Sequence, residues 1–322
     1  MRRGFDVSQY EAAHRRRTKV AAVLIFVCIP LTLSVASRLF GNSRYLLLGA
    51  IILIYTMIPF FMVFERRKPK AREIVLIAAM AALTVCISMA FYMTIPIKAG
   101  SAMVIIAGIS LGPEAGFLVG ALARFVLNFY QGHGAWTPWQ MFCWGLLGFL
   151  AGLCFNKVTV ENAMRKQHPI EKQKSGDFKV ILGPLLCIVF ALLIAYLSYL
   201  LFPGEDETFL GWRLYVFGAV GLLLGVLLQR KRLPVDSVTL TLFTFFSIFI
   251  LYGGIMNICA MVTSAAIPGG APISLKTLKV LYISGASYDA AHGATAALFM
   301  FLFGKKMIRR VERVKLKYGI YR

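Results

Sequence analysis

Acidic side chains are what this sequence has least of: 14 Asp and Glu stand against 35 Lys and Arg in 322 residues. Charge of either sign is sparse, at 15 %, where a soluble domain carries about a quarter. The longest polar stretch, 157–178, is too short to be a domain. A water-soluble globule is therefore excluded. There is no G-x-x-x-x-G-K-[ST] phosphate loop, no H-E-x-x-H and no G-x-S-x-G elbow, so neither ATP hydrolysis nor common hydrolase chemistry is encoded here. Six cysteines, Cys28, Cys86, Cys143, Cys154, Cys187 and Cys259, are scattered singly without C-x-x-C spacing. They read as small buried hydrophobes, and neither a disulfide, a metal site nor a cofactor is indicated.

What is present is apolar surface: 59 % hydrophobic residues and a mean hydropathy of +0.73. The apolar residues run in blocks near the ~20 residues that an α-helix needs to cross a bilayer, and a backbone in lipid must satisfy its own hydrogen bonds. The sequence predicts an all-α integral membrane protein with spans near 20–40, 45–64, 73–95, 100–111, 113–130, 136–156, 179–202, 211–229, 236–263 and 278–304. The span at 100–111 is short for a full crossing, and Gly112-Pro113 after it predicts a tight turn. The first block reads as a retained anchor rather than a cleavable signal.

Basic residues give the orientation, because cytoplasmic loops carry the excess of Lys and Arg. One side holds six in 1–19, five in 66–72, six in 157–179, three in 230–232 and eight in 305–322. The other side holds Arg38, Arg44, Lys98, Arg213, Lys276 and Lys279, in loops or at span ends, and Arg124 alone lies well inside a span. Ten spans with both termini cytoplasmic reproduce this asymmetry, and the plasma membrane is the expected location. The net charge of +21 lies in short loops, where it serves topology and contacts anionic lipids, and does not indicate nucleic acid.

The chain divides into a basic tail, hairpin and linker at 1–72, a Gly- and Ala-rich block at 73–156, a polar loop and Leu-rich hairpin at 157–235, and two last spans with a basic tail at 236–322. Small residues recur every fourth position at Ala78/Ala82, Gly112/Gly116/Gly120 and Gly148/Gly152, which lets helices approach closely, within the chain or with a partner. Polar residues at membrane depth are costly and so are functional candidates: Arg124, Asn128, Gln140, Asn257, Asp289 and His292. Arg124 and Asn128 share a helix face; Arg124 is equally open to ligand contact and to a buried ion pair with Asp289. The outer loop with His133, Trp136, Pro138, Trp139 and Gln140 combines flat aromatic faces with a few polar groups, as a pocket for a large organic molecule requires. The loop 265–278 is placed to close the same cavity.

Three stretches, IIAGISLGPEAGFLVGAL at 105–122, GAWTPWQM at 134–141 and WGLLGFLAGL at 144–153, resemble the substrate-binding S components of energy-coupling factor (ECF) vitamin transporters. The tail, FGKK at 303–306 and ERVKLKYG at 312–319, is similar to the cobalamin-assigned subgroup. The resemblance covers roughly 73–156 and 236–320 and implies a six-helix core, here with extra hairpins at 20–64 and 179–229. It implies docking of a transmembrane coupling subunit at Ala78 and Ala82, two separate ATPase subunits, and an outward vitamin pocket. The resemblance implies that the pocket is formed by Lys98 to Ala102, Trp136 to Gln140 and parts of the last two spans; with the polar residues singled out above, the candidate pocket residues are Lys98, Arg124, Asn128, His133, Trp136, Trp139, Gln140, Asn257 and Asp289. Cobalamin is the expected vitamin, with riboflavin and queuine as alternatives. A membrane-embedded enzyme using His133, Asp289 and His292 is the reading from another class, and requires those side chains to converge. A ligand-free structural protein is the third.

Overall fold

The computed structural model describes residues 71–94, 97–155, 178–201, 212–228, 233–265, 267–318 and 320. The predicted hairpin at 20–64 and most of the loop at 157–178 lie outside them. The described residues are helical throughout, apart from turns and one isolated bridge between Phe155 and Leu233.

Helix α1, Ala71–Thr94, has no Gly or Pro to interrupt it and spans 24 residues, about 36 Å. It ends two residues before Pro96, which disfavours helix at the residue it follows. Helix α2, Ala99–Leu111, has only 13 residues, yet is buried from Ala99 to Ser110. A helix that is apolar on every side belongs inside a protein rather than on its surface. That is why α2 need not be long enough to cross lipid: it is the centre of the bundle, wrapped by α1, α3, α4 and the last helix. Gly112 makes the predicted turn at φ 99°, and Pro113 opens α3, Pro113–Gln131, at the position where a missing amide costs nothing. Helix α4 is Thr137–Cys154.

The glycine strips are the seams between α2, α3 and α4. A Cβ on Gly108 would lie 2.0 Å from the Gly148 carbonyl oxygen, one on Gly116 2.5 Å from the Gly108 Cα, and one on Gly152 2.4 Å from the Pro113 nitrogen. Packing within the chain therefore accounts for these strips. Ala78 and Ala82 differ, since both are exposed on α1 with Val75, Ala79 and Cys86.

Helices α5, Phe178–Leu201, and α6, Trp212–Leu228, pack on one another, and α6 also meets the two helices that follow. Helix α7, Ser237–Ser264, is capped by the Asp236 carboxylate accepting from the Thr239 amide at 2.9 Å. Both α1 and α7 are long and apolar enough to cross a membrane. The middle of α7, Ser247–Gly253, is π-helical. Helix α8, Leu275–Phe299, leads through a second π-helical segment, Met300–Gly304, into α9, Lys305–Lys317.

Helix α9 bends back under the bundle. Ser101 touches His292 and Ser110 touches Lys315, so nine residues of α2, about 14 Å, face 23 residues of α8–α9, about 35 Å if straight. A straight path is impossible, and the irregular ladder at Met300–Gly304 is where a helix bends. Arg72 ties the far end by donating to the Tyr318 carbonyl at 3.1 Å. One end of the bundle thus gathers Arg72, Gly112, the Phe155–Leu233 bridge and α9. The opposite end holds Lys98, the turn at 132–136 and the loop at 267–274.

Candidate functional site

Two polar clusters lie within the bundle toward the Lys98 end. The first is built on α3 and α4. Arg124 and Asn128, one turn apart on α3, converge on Gln140 in the first turn of α4. Arg124 donates from Nε at 2.9 Å and from Nη2 at 2.7 Å to Gln140 Oε1, and Asn128 Nδ2 donates to the same oxygen at 3.2 Å. The guanidinium lies 5.4 Å from the Trp144 ring centre, a cation–π contact. Trp144 is one turn beyond Gln140, and Gly100 makes room for its indole: a Cβ there would lie 2.5 Å from Trp144 Cη2.

The cluster continues from Gly100 to its neighbour. Ser101 Oγ and His292 Nε2 are 2.9 Å apart and both residues are buried. The His292 ring stands edge-on to Tyr252 at 4.7 Å, with Tyr288 at 6.5 Å. Lys98 Nζ is 6.0 Å from the Tyr288 ring centre, and the Lys98 amide donates to Thr295 Oγ1 at 3.4 Å. Lys98 and Arg124 both lie within electrostatic range of His292. Tyr252 belongs to the π-helical segment of α7; such segments re-aim side chains and recur at functional sites.

This cluster is incomplete. Asn128 Oδ1, Trp144 Nε1 and His292 Nδ1 are buried and have no hydrogen-bond partner among the described residues. Buried polar atoms in native proteins are almost always paired, and these three lie on side chains linked by the contacts just described.

The second cluster is satisfied. Asp289 Oδ2 accepts from the Tyr215 hydroxyl at 2.7 Å and from Asn257 Nδ2 at 2.9 Å, and Asn257 also donates to the Gly253 carbonyl at 2.9 Å. Tyr215 is stacked between Tyr282, at 4.3 Å, and Phe249, at 5.4 Å. A Cβ on Gly253 would lie 2.5 Å from the carboxylate carbon. The arrangement corrects the ion pair weighed from sequence: Arg124 is held by the neutral Gln140, and Asp289 by Tyr215 and Asn257. The physical reason is reach along two different helix faces, since α6, part of the hairpin read as extra to the core, places Tyr215 where it claims Asp289.

The remaining sequence candidates are distributed. His133 is exposed and packs its ring on Phe129 at 4.7 Å and Phe125 at 5.4 Å. The turn is closed by Gly134 N donating to Thr137 Oγ1 at 3.0 Å, and Trp136, 40 % exposed, folds over Gly134. Trp139 points with Phe142, Leu146 and Phe149 toward α6 and α7, on the face of α4 away from Gln140 and Trp144. His133, Asp289 and His292 each have separate partners. Sequence reasoning did not single out Ser101, Trp144, Tyr252 or Tyr288. Trp144 follows Gln140 by four residues and His292 follows Tyr288 by four, and that spacing was the available signal; Ser101 falls within the stretch Lys98 to Ala102 that the resemblance implies at the pocket.

Residues 68–170 match the family model described as ECF-type riboflavin transporter, S component. The motifs at 105–122 and 134–153 fall inside the match. It supports an ECF S component and, with it, a membrane location. It takes in Lys98, Ser101, Arg124, Asn128, Gln140 and Trp144, and leaves α5 to α9 outside. No curated protein and no solved structure matches the chain significantly.

Proposed function

We propose that this protein is the substrate-capturing S component of an ECF-type importer, binding a micronutrient at the Arg124–Trp144–His292 cluster. The observation that carries the reading is that the unsatisfied cluster is built mainly by α2, α3 and α4, the helices inside the matched stretch. The asymmetry of basic residues supports ten spans with both termini and the α9 end in the cytoplasm, and hence a cluster open to the outside. The exposed faces of Ala78 and Ala82 on α1 suit close approach of a coupling helix. ATP hydrolysis belongs to separate subunits, because no phosphate loop exists here.

Two ligands have support: riboflavin from the name of the matched model, and cobalamin from the likeness of the core and tail. Purification from membranes containing an ECF module tests the subunit reading, with equilibrium binding of riboflavin, cobalamin and queuine beside it. Co-purification of a coupling subunit and two ATPases, lost in the Ala78→Leu/Ala82→Leu double variant, is the expected result. Retention of no such partner by the intact protein would sink the reading.

A further inference from the structure

We infer that the ligand is an anion, a carboxylate or phosphate ester that also carries an N–H or O–H donor. This rests on the binding reading above and narrows its substrate class. The argument is a charge inventory. Two cations, Lys98 and Arg124, border the cluster. Arg124 is satisfied by a neutral amide oxygen and an indole face. The Lys98 ammonium has an aromatic ring beside it. Neither makes an ion pair with a described carboxylate.

The described carboxylates are Glu73, Glu114, Asp236, Asp289 and Glu312. Glu73 and Glu114 stand in the first turns of α1 and α3, Asp236 caps α7, and Glu312 is on α9, all at the opposite end. Asp289 is the one near the site, and its oxygen is occupied by Tyr215 and Asn257. A cation inside a span, as Arg124 is, is ordinarily paired; no described carboxylate pairs it, and Lys98 at the end of the bundle adds a second positive charge beside the same cluster.

The orphan atoms specify more. Trp144 Nε1 is a donor that seeks an acceptor, as the two cations do. Asn128 Oδ1 is an acceptor that seeks a donor, since its own NH2 is spent on Gln140 Oε1, which already accepts from Arg124 twice. Tyr252 and Tyr288 beside His292 supply flat walls. An anionic group next to Arg124 and Lys98, with an N–H or O–H reaching Asn128, satisfies these groups together, and a neutral ligand leaves both cations without a counter-charge among the described residues.

The test is isothermal titration of the purified full chain, in detergent, with neutral and anionic twins: riboflavin and riboflavin 5′-phosphate, nicotinamide and nicotinate, pantothenol and pantothenate, biotin amide and biotin. One anionic member is expected to bind at least about tenfold more tightly than its twin. Arg124→Gln and Lys98→Gln should each erode that preference, and added salt should weaken it. Lys98→Gln keeps the test valid if Arg124→Gln does not fold, because the Lys98 side chain makes no hydrogen bond in the described structure. Binding of a neutral twin as tightly as the anion overturns the inference while leaving an S component in place. Binding of no anion in the set also overturns it, and the co-purification experiment reports separately on the subunit assignment.

Discussion

The Arg124 cluster and the Asp289 cluster lie in one bundle and hold similar chemistry, a charge with amide and aromatic neighbours, but they are finished differently. Asp289 has its bonds from Tyr215 and Asn257, and α6, which supplies Tyr215, is held to α8 by stacking of Tyr215 on Tyr282. Around Arg124, three buried polar atoms wait for partners. A complete network adds to the stability of the empty protein, whereas an incomplete one costs it stability that a ligand restores. Stability and binding should therefore separate along this line.

The largest effect is expected at Asp289. Asp289→Ala strands the Tyr215 hydroxyl and the Asn257 amide in the interior, and the loss should be about 3 kcal/mol, in the range for breaking a buried charged network. Thermal unfolding in detergent measures it. Molecules that still fold should bind ligand normally; a binding defect with unchanged stability would mean that the two clusters have been assigned the wrong way round.

Next come Trp144→Phe and Asn128→Leu, which remove an orphan donor and an orphan acceptor while keeping bulk. Trp144 Nε1 has no partner in the described structure, and the one bond lost with Asn128 is the 3.2 Å contact to Gln140 Oε1, which keeps both bonds from Arg124, so unfolding should move by no more than about 1 kcal/mol. Affinity should fall about tenfold for each, read by titration with whichever micronutrient binds the intact chain. Unchanged affinity in both would remove the reason for placing ligand here.

Tyr215→Phe is smaller. It deletes one of two bonds to Asp289 and keeps the stacked ring, so about 1 kcal/mol of stability is at stake, with no change in affinity. A loss of affinity instead would show that α6 communicates with the Arg124 side through α8.

Much of this fold was legible because long apolar blocks announce helices by length and hydropathy. The helices found at 99–111, 113–131, 178–201 and 212–228 differ by a residue or so from the predicted spans, and Gly112-Pro113 turns as proline stereochemistry requires. The Arg124–Asn128 face was legible for the same reason, being periodic within one helix. What was not legible is which face meets which. Trp136 and Trp139 look equivalent in sequence, yet three residues of helix separate their directions, and Trp144, one turn past Gln140, is the indole that reaches Arg124. Tyr252 is placed by a π-helical segment that no hydropathy pattern signals. Gly100 and Ser101 lie in the stretch Lys98 to Ala102 that the resemblance implies at the pocket, but no sequence pattern signals the indole and imidazole packed on them.

The smallest effect on the isolated protein is expected at Ala82, and it tests a third kind of surface. Ala82 is exposed, so enlarging it fills no core and strands no polar atom, and stability should stay within about 0.5 kcal/mol. Affinity should also hold, because Ala82 belongs to neither cluster. Between small residues four apart, however, a leucine keeps an approaching helix at a distance. Ala82→Leu should thus fold and bind like the original chain while losing co-purification with a coupling subunit and, in vesicles carrying the whole importer, uptake. Intact coupling in that variant would move the docking face off Ala78 and Ala82 and leave this strip as lipid-facing surface.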